Sequence, residues 1–422
     1  MKNKIFHPYT TFSELKTELP NIVRGEGIYL FDDQGNRFVD IVSSWWACAL
    51  GHGHPKVVKA IQEQAAVLQH SITGSMTHPN VLALAERLAN LMPTPERHSV
   101  FASDGCSAVE AALKIAVQYW YNIGRPEKTW LIGMDQGYHG DSLGALSVGF
   151  VDGFHEPYRK TVNHPAKLPF PVPTASDPDG FEPSRKVIEQ HAEKLAAVIV
   201  EPLCLGSAGM KIYSAGYLKK LADCCAVNEV LLIIDEVAMG FGRTGKRFAF
   251  NHAGIDPDMV CVGKALTAGY MPLSACIVKD RIYNTFSDEG EKDCTFYHGN
   301  TYAGHPIGCA AALAALDIYE AEDTVARAAE MAEKMKQWML PMAAMNCVKE
   351  LRFLGMIGIV ELKAEMKPKV PRIKQALKEQ GYLFRPLGTT FYLMPPLVIS
   401  DEELHAAVDA LHQTVRSSTA PE

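Results

Sequence analysis

Leu231-Leu232-Ile233-Ile234-Asp235-Glu236 and Met259-Val260-Cys261-Val262-Gly263-Lys264 decide the fold. Each is a short run, apolar at every position, that ends abruptly in charge. A strand with one wet face alternates polar and apolar residues, whereas one covered on both faces does not. Ala196–Val200, which ends in Glu201-Pro202, and Thr129–Met134 read the same way. Helical patterns at Ala108–Tyr121 and Tyr217–Val227 stand between these runs. The alternation predicts an α/β fold with a mostly parallel central sheet and helices on both faces.

Outward from that centre, Gly27–Asp40 holds two apolar-rich runs around an Asp/Gly/Asn turn, which predicts a hairpin. Helices are expected at Pro55–Gln69 and Pro79–Leu91, and Gly149–Pro183 is expected to be mostly loop. After Ala310 one long helical pattern runs to about Leu340, where Pro341 interrupts it. Strands near Val348–Leu354, Gly358–Leu362 and Phe391–Met394, with helices near Ile373–Gln380 and Asp401–Ser417, predict a small α/β domain. The expected division is a small domain from residues 1–57 and 319–422 and a large domain from residues 58–318.

Composition narrows the partners. The 422 residues carry 41 basic and 48 acidic side chains, a net charge of −7, which argues against nucleic acid or an anionic membrane. No apolar run approaches the length of a membrane span, and the charged N-terminus lacks the apolar segment of a signal peptide. The ten cysteines form no CxxC pair and no zinc-spaced cluster, so no metal is expected and a reducing cytoplasm is.

Ligands of open α/β sheets bind beyond the carboxyl ends of the strands, where Asp235 and Lys264 lie. Lys264 reads as a structural ion pair or as a Schiff-base lysine. Asp235 reads as a helix cap, a metal ligand or the partner of a protonated ring nitrogen. Together they fit pyridoxal phosphate, which needs an amine for its aldehyde and a carboxylate for its pyridinium. Ser103-Asp104-Gly105-Cys106-Ser107, just before a helix, is a candidate phosphate cradle, although such residues are also ordinary N-caps. Gly240-Phe241-Gly242-Arg243-Thr244-Gly245 matches the dinucleotide fingerprint, but it neither leaves a strand directly nor opens a helix. His139, in Tyr138-His139-Gly140-Asp141, has no second ligand at helical spacing and reads as structural. Tyr9, Trp45-Trp46 and Tyr138 lie among small polar residues, which suits a planar or long apolar ligand.

The motifs around Asp235, Gly240–Gly245 and Gly263-Lys264-Ala265-Leu266 resemble the signature of class III aminotransferases, pyridoxal-phosphate enzymes of fold type I, in order and spacing across nearly the whole chain. That resemblance removes the dinucleotide reading. His7-Pro8-Tyr9-Thr10, Ser43-Ser44-Trp45-Trp46, Gly137–Asp141, His298-Gly299-Asn300-Thr301, Arg385-Pro386-Leu387-Gly388 and Tyr392–Pro396 are similar to the members of the class that aminate 8-amino-7-oxononanoate in biotin synthesis. S-adenosylmethionine is the expected donor there, with lysine as the other candidate. The resemblance implies Lys264 as Schiff-base lysine and proton carrier, Asp235 on the pyridinium nitrogen and Tyr138 on the ring. It implies Gly105 and Cys106 at the phosphate, joined by Thr301 of the partner subunit in a homodimer with shared sites. Tyr9, Trp45, Trp46, Tyr138 and Tyr392 would line the keto-acid pocket, and Arg385 would bind its carboxylate. Three positions depart from the pattern: Cys106 for Ser, Leu205 for Gln and Asn300 for Pro. The rival readings are an aminotransferase of other ω-amino acids or diamines, and a binding protein on an inactive form of the fold.

Overall fold

The computed structural model describes residues 4–12, 14–16, 19–287 and 293–418. Its centre is a six-stranded sheet: β1 (Arg97–Ala102), β2 (Trp130–Gly133), β3 (Leu195–Val200), β4 (Leu231–Asp235), β5 (Met259–Val262) and β6 (Ser274–Lys279). The spatial order is β1-β6-β5-β4-β3-β2. β2, β3, β4 and β5 pair in parallel, with Ile199 opposite Ile233 and Ile233 opposite Met259. β6 runs antiparallel to both of its neighbours, and this leaves β1 pointing the same way as the other four.

The continuous apolar runs have a simple physical cause. Val198, Val200, Leu232, Ile234, Val260 and Val262 enter one buried cluster, while Ala197, Ile199, Leu231, Ile233, Met259 and Cys261 enter a second on the opposite face. Helix α1 (Gly105–Asn122) covers the second face with Ala108, Val109, Ala112 and Ala116, whose small side chains admit a close approach. It is longer at both ends than its apolar pattern predicts. Asp104 supplies the reason at its N-terminus, accepting a hydrogen bond from Ser107 N–H at 2.9 Å.

One expected element divides in two. The helical pattern after Ala310 is a helix over Pro306–Ala321 and another over Thr324–Met339. Asp323 between them takes φ 44°, a left-handed step that reverses the chain and that a short carboxylate tolerates. Pro341 lies in a 3-10 turn over Leu340–Ala344. The glycine-rich 240–245 segment is a turn, closed by Gly242 N–H to Arg247 O at 3.2 Å, with no helix behind it.

A second, antiparallel sheet is formed by Val348–Leu354, Ile357–Leu362 and Thr390–Leu393, backed by helices over Val370–Glu379 and Asp401–Ser417. The expected N-terminal hairpin is present as Tyr29–Asp32 and Arg37–Val39, with Ile22–Glu26 added as a third strand. It is tied to the C-terminal part by Val39 N–H to Gly381 O at 2.7 Å and Met394 N–H to Ile41 O at 2.9 Å. Residues 149–183 are mostly irregular, as expected, with one short 3-10 turn at Glu156–Tyr158. Among the described residues no helix is long and apolar enough to cross a membrane, no metal-binding cluster occurs, and all ten cysteines are free thiols.

Candidate active site

The carboxyl ends of the five strands that run the same way converge on one cavity of about 650 Å³. Ser103–Ser107 follow β1, Tyr138–Ser142 follow β2, Glu201 follows β3, Asp235 closes β4 and Lys264 follows β5. The sheet therefore places on one wall residues that are far apart in sequence.

Asp235 is buried and held from two sides. Its Oδ2 lies 2.8 Å from His139 Nδ1, and its Oδ1 accepts Val237 N–H at 3.1 Å. His139, read from sequence as a structural histidine, is thus an orienting partner of the carboxylate. A lone His in a loop carried no signal for that contact, because the two residues meet only across the sheet.

Lys264 sits at φ 43°, just after the extended Gly263, and its Nζ lies 5.0 Å from the ring centroid of Trp46. Burial pulls its pKa below the usual lysine range, while Asp235 and Glu201 act in the opposite direction. Glu201 is itself buried; it accepts Tyr138 N–H at 2.8 Å and Gly206 N–H at 2.9 Å, and burial pushes it up to about 7. Its role in fixing the backbone of Tyr138 was not legible from Glu201-Pro202 alone.

The anion side of the cavity is the N-terminus of α1. Gly105 faces Val237, and a Cβ there would lie 2.6 Å from Val237 Cγ1; one on Gly140 would lie 2.5 Å from Cys106 Sγ. Both glycines keep the floor open. Cys106 donates to Ser142 Oγ at 3.0 Å and accepts Ser142 N–H at 3.3 Å, and Ser142 in turn donates to Glu110. Bare N–H groups at a helix start, a desolvated amine and an oriented carboxylate are what a phosphorylated pyridine aldehyde needs, so the residues fit pyridoxal phosphate.

The mouth is aromatic. Tyr9 stands edge-on to Trp45, with centroids 5.5 Å apart, and Phe154 lies 5.7 Å from Tyr9. The Arg385 guanidinium covers Trp45 at 3.7 Å, and Trp46 Nε1 donates to Tyr392 Oη at 3.2 Å. Asp141 collects Tyr9 Oη–H at 2.6 Å and Tyr138 Oη–H at 3.1 Å, with His155 Nε2 at 3.4 Å. Burial, joined by the Asp141 charge, raises Tyr138 well above the tyrosine range, so it is a neutral phenol. Tyr9 is pushed up to about 12 by burial and by its bond to Asp141. Thr301 is exposed on a turn outside this cavity, and Leu205 is fully buried.

The aminotransferase class-III family model matches residues 12–415. The chain is a class III aminotransferase. It is 36% identical over 439 aligned positions, 99% of the chain and 97% of the relative, to the adenosylmethionine-8-amino-7-oxononanoate aminotransferase of Geobacter sulfurreducens. With the enzyme of that name from Synechococcus elongatus it shares 37% identity over 95% of each chain. The crystal structure of the Methanocaldococcus jannaschii enzyme superposes with a TM-score of 0.94 at 34% identity, covering 99% of this chain and 98% of that one. An amine transaminase from an uncultivated Pseudomonas species, solved with pyridoxal phosphate bound, gives 0.90 at 32% identity over 99% of both chains. Class III aminotransferases use pyridoxal phosphate, and the class explains why the amine, carboxylate and helix N-terminus meet at this cavity.

Proposed function

We propose that this aminotransferase transfers an amino group from S-adenosylmethionine to 8-amino-7-oxononanoate, giving 7,8-diaminononanoate in biotin synthesis. One observation carries the choice of acceptor: the aromatic wall of Trp45 and Trp46 runs from the Lys264 ammonium to the Arg385 guanidinium. An amine-bearing carbon set at Lys264 and a carboxylate set at Arg385 are separated by an apolar span, the shape of a long-chain keto acid. The names of the relatives support the same reading and the donor.

Bound pyridoxal phosphate supplies the aldehyde that receives amino groups and an electron sink for the carbon that loses its proton. The chain's own groups do the rest. Lys264 Nζ, neutral more readily because it is buried, takes and returns the proton at the substrate's amine-bearing carbon. Asp235, aligned by His139, presents an oxygen to a protonated ring nitrogen. Gly105 and Cys106 offer N–H groups to the phosphate, and Thr301 of the partner subunit joins them in a cytoplasmic homodimer. Tyr138, held by Glu201 and Asp141, lies on the ring face and excludes water. Tyr9, Trp45, Trp46 and Tyr392 line the acceptor chain, and the Arg385 fork pairs its carboxylate.

A donor screen tests this reading. The holoenzyme is mixed with S-adenosylmethionine, lysine, alanine or a diamine, without acceptor, and the cofactor's absorbance is followed. The expected result is conversion by S-adenosylmethionine and its reversal by 8-amino-7-oxononanoate. Conversion by lysine with the same reversal keeps the pathway and changes the donor. Conversion by amines or diamines, with no response to the keto acid, overturns the reading in favour of an amine transaminase like the Pseudomonas relative.

A further inference from the structure

Ser43, Ser44, Trp45 and Trp46 have φ of 49, 45, 71 and 73°, four successive L-residues in the left-handed region with no glycine among them. Such a run persists only where its surroundings over-determine it. Asp40, buried at 2% exposure, supplies the constraint. Its Oδ1 accepts Ser44 N–H at 2.9 Å, and its Oδ2 accepts Ser44 Oγ–H at 2.6 Å and faces His52 Nε2 at 3.0 Å. Ser43 Oγ–H donates to Met394 O at 2.7 Å and Trp46 N–H to Val42 O at 2.9 Å.

His52 is fixed in turn. Its backbone exchanges two hydrogen bonds with Gly27, at 2.7 and 2.9 Å. Its side chain occupies the space left by Gly25, where a Cβ would lie 2.7 Å from His52 Cβ. Burial works against its charge, but the bonds to Asp40 and Cys48 outweigh this and lift it to about 9, so it is an imidazolium at neutral pH.

The turn has a consequence for the site. In an extended segment adjacent side chains point to opposite faces, and only one indole would reach the cavity. Here both do, Trp46 beside Lys264 and Trp45 beneath Arg385.

We infer that Asp40, with His52 behind it, is a positioning residue for acceptor specificity, holding the left-handed turn that sets both indoles along the apolar span between Lys264 and Arg385. The inference rests on the acceptor reading above. Neither residue touches the ligand; each acts through the backbone of Ser43–Trp46.

The test compares Asp40→Ala, Asp40→Asn, His52→Gln and the double variant Asp40→Ala with Ser44→Gly, all as holoenzymes. Steady-state kinetics with 8-amino-7-oxononanoate give KM and kcat. Cofactor retention on dialysis gives an independent control. Quenching of tryptophan emission by heptanedioate, a dicarboxylate of comparable apolar length, reads the indole wall without turnover. The expected result for Asp40→Ala is a KM raised by about tenfold or more and quenching weakened to match, with kcat and cofactor retention nearly unchanged. Asp40→Asn and His52→Gln fall between it and the parent. Ser44→Gly in the Asp40→Ala background recovers part of the loss, because glycine takes a positive φ without strain. An unchanged KM and quenching in the folded Asn and Gln variants overturn the inference, as does equal loss of acceptor and cofactor binding. If the parent does not turn over the keto acid, the acceptor reading fails, and the quenching series alone decides whether Asp40 positions the indoles.

Discussion

At the residue scale, two side chains make claims that can be measured separately. Cys106 stands at the start of α1 where the class commonly has serine, and its thiol is a weak hydrogen-bond donor. Cys106→Ser is expected to tighten pyridoxal-phosphate binding by about tenfold, through a bond to a charged group. Equilibrium dialysis checks this, and equal or weaker retention would show that the hydroxyl is not used. Glu236 lies beside Asp235 but faces away from the cavity; its Oε1 accepts Phe250 N–H at 2.8 Å and its buried Oε2 has no partner. Burial pushes its pKa up from 4.5 to about 8. The folded state therefore prefers the protonated acid. Its contribution is complete below about pH 4.5 and is lost as pH rises through about 8, at a limiting slope of about 1.4 kcal/mol per pH unit. Glu236→Gln keeps an acceptor for Phe250 and cannot ionise. Denaturant titrations at pH 5, 6.5 and 8 should show the parent weakening relative to the variant; parallel curves would refute the assignment.

At the element scale, the strands that carry the site depend on anchors at the other end of the sheet. Lys128 is almost completely buried, and its ammonium donates to Ala192 O at 2.7 Å, Leu195 O at 3.1 Å and Glu229 O at 2.7 Å. It lies 4.4 Å from the Trp120 ring centroid. One cation thus joins the entries to β3 and β4 with the end of the preceding helix. Lys128→Met fills the volume but leaves three carbonyls without a donor, and about 3 kcal/mol of stability should be lost. kcat measured well below the melting temperature should be unchanged, since no atom of Lys128 lines the cavity. A melting temperature equal to the parent's would remove this anchor from the account. The division of the 310–340 helical pattern at Asp323 belongs to this scale too. Apolar periodicity continues through the break, and only the left-handed φ of Asp323 reveals it.

At the scale of the whole molecule, Thr301 is exposed on one chain, while the class resemblance assigns it to a phosphate. A shared site in a two-fold dimer makes a sharp prediction. Lys264→Ala and Thr301→Ala chains, each poorly active alone, form mixed dimers in which one site keeps both residues. Refolding an equal mixture should restore roughly a quarter of parent activity, since about half the dimers are mixed and half their sites intact. No gain over the separate variants would place Thr301 outside the partner's site.

Much of this was legible before any coordinates. Asp235, Lys264 and the strands that carry them stand out because burial on both faces demands uninterrupted apolar residues, and a charge ending such a run is conspicuous at any single position. The motif order across the chain carried the class. What the linear chain could not express is contact between distant segments. His139 beside Asp235, Glu201 beneath Tyr138, and Asp40 with His52 behind the Trp pair are ordinary residues until the sheet and the N-terminal hairpin bring them together. The left-handed turn at Ser43–Trp46 is the extreme case. Local propensity argues against it at every residue, and only hydrogen bonds closed by the tertiary fold hold it in place.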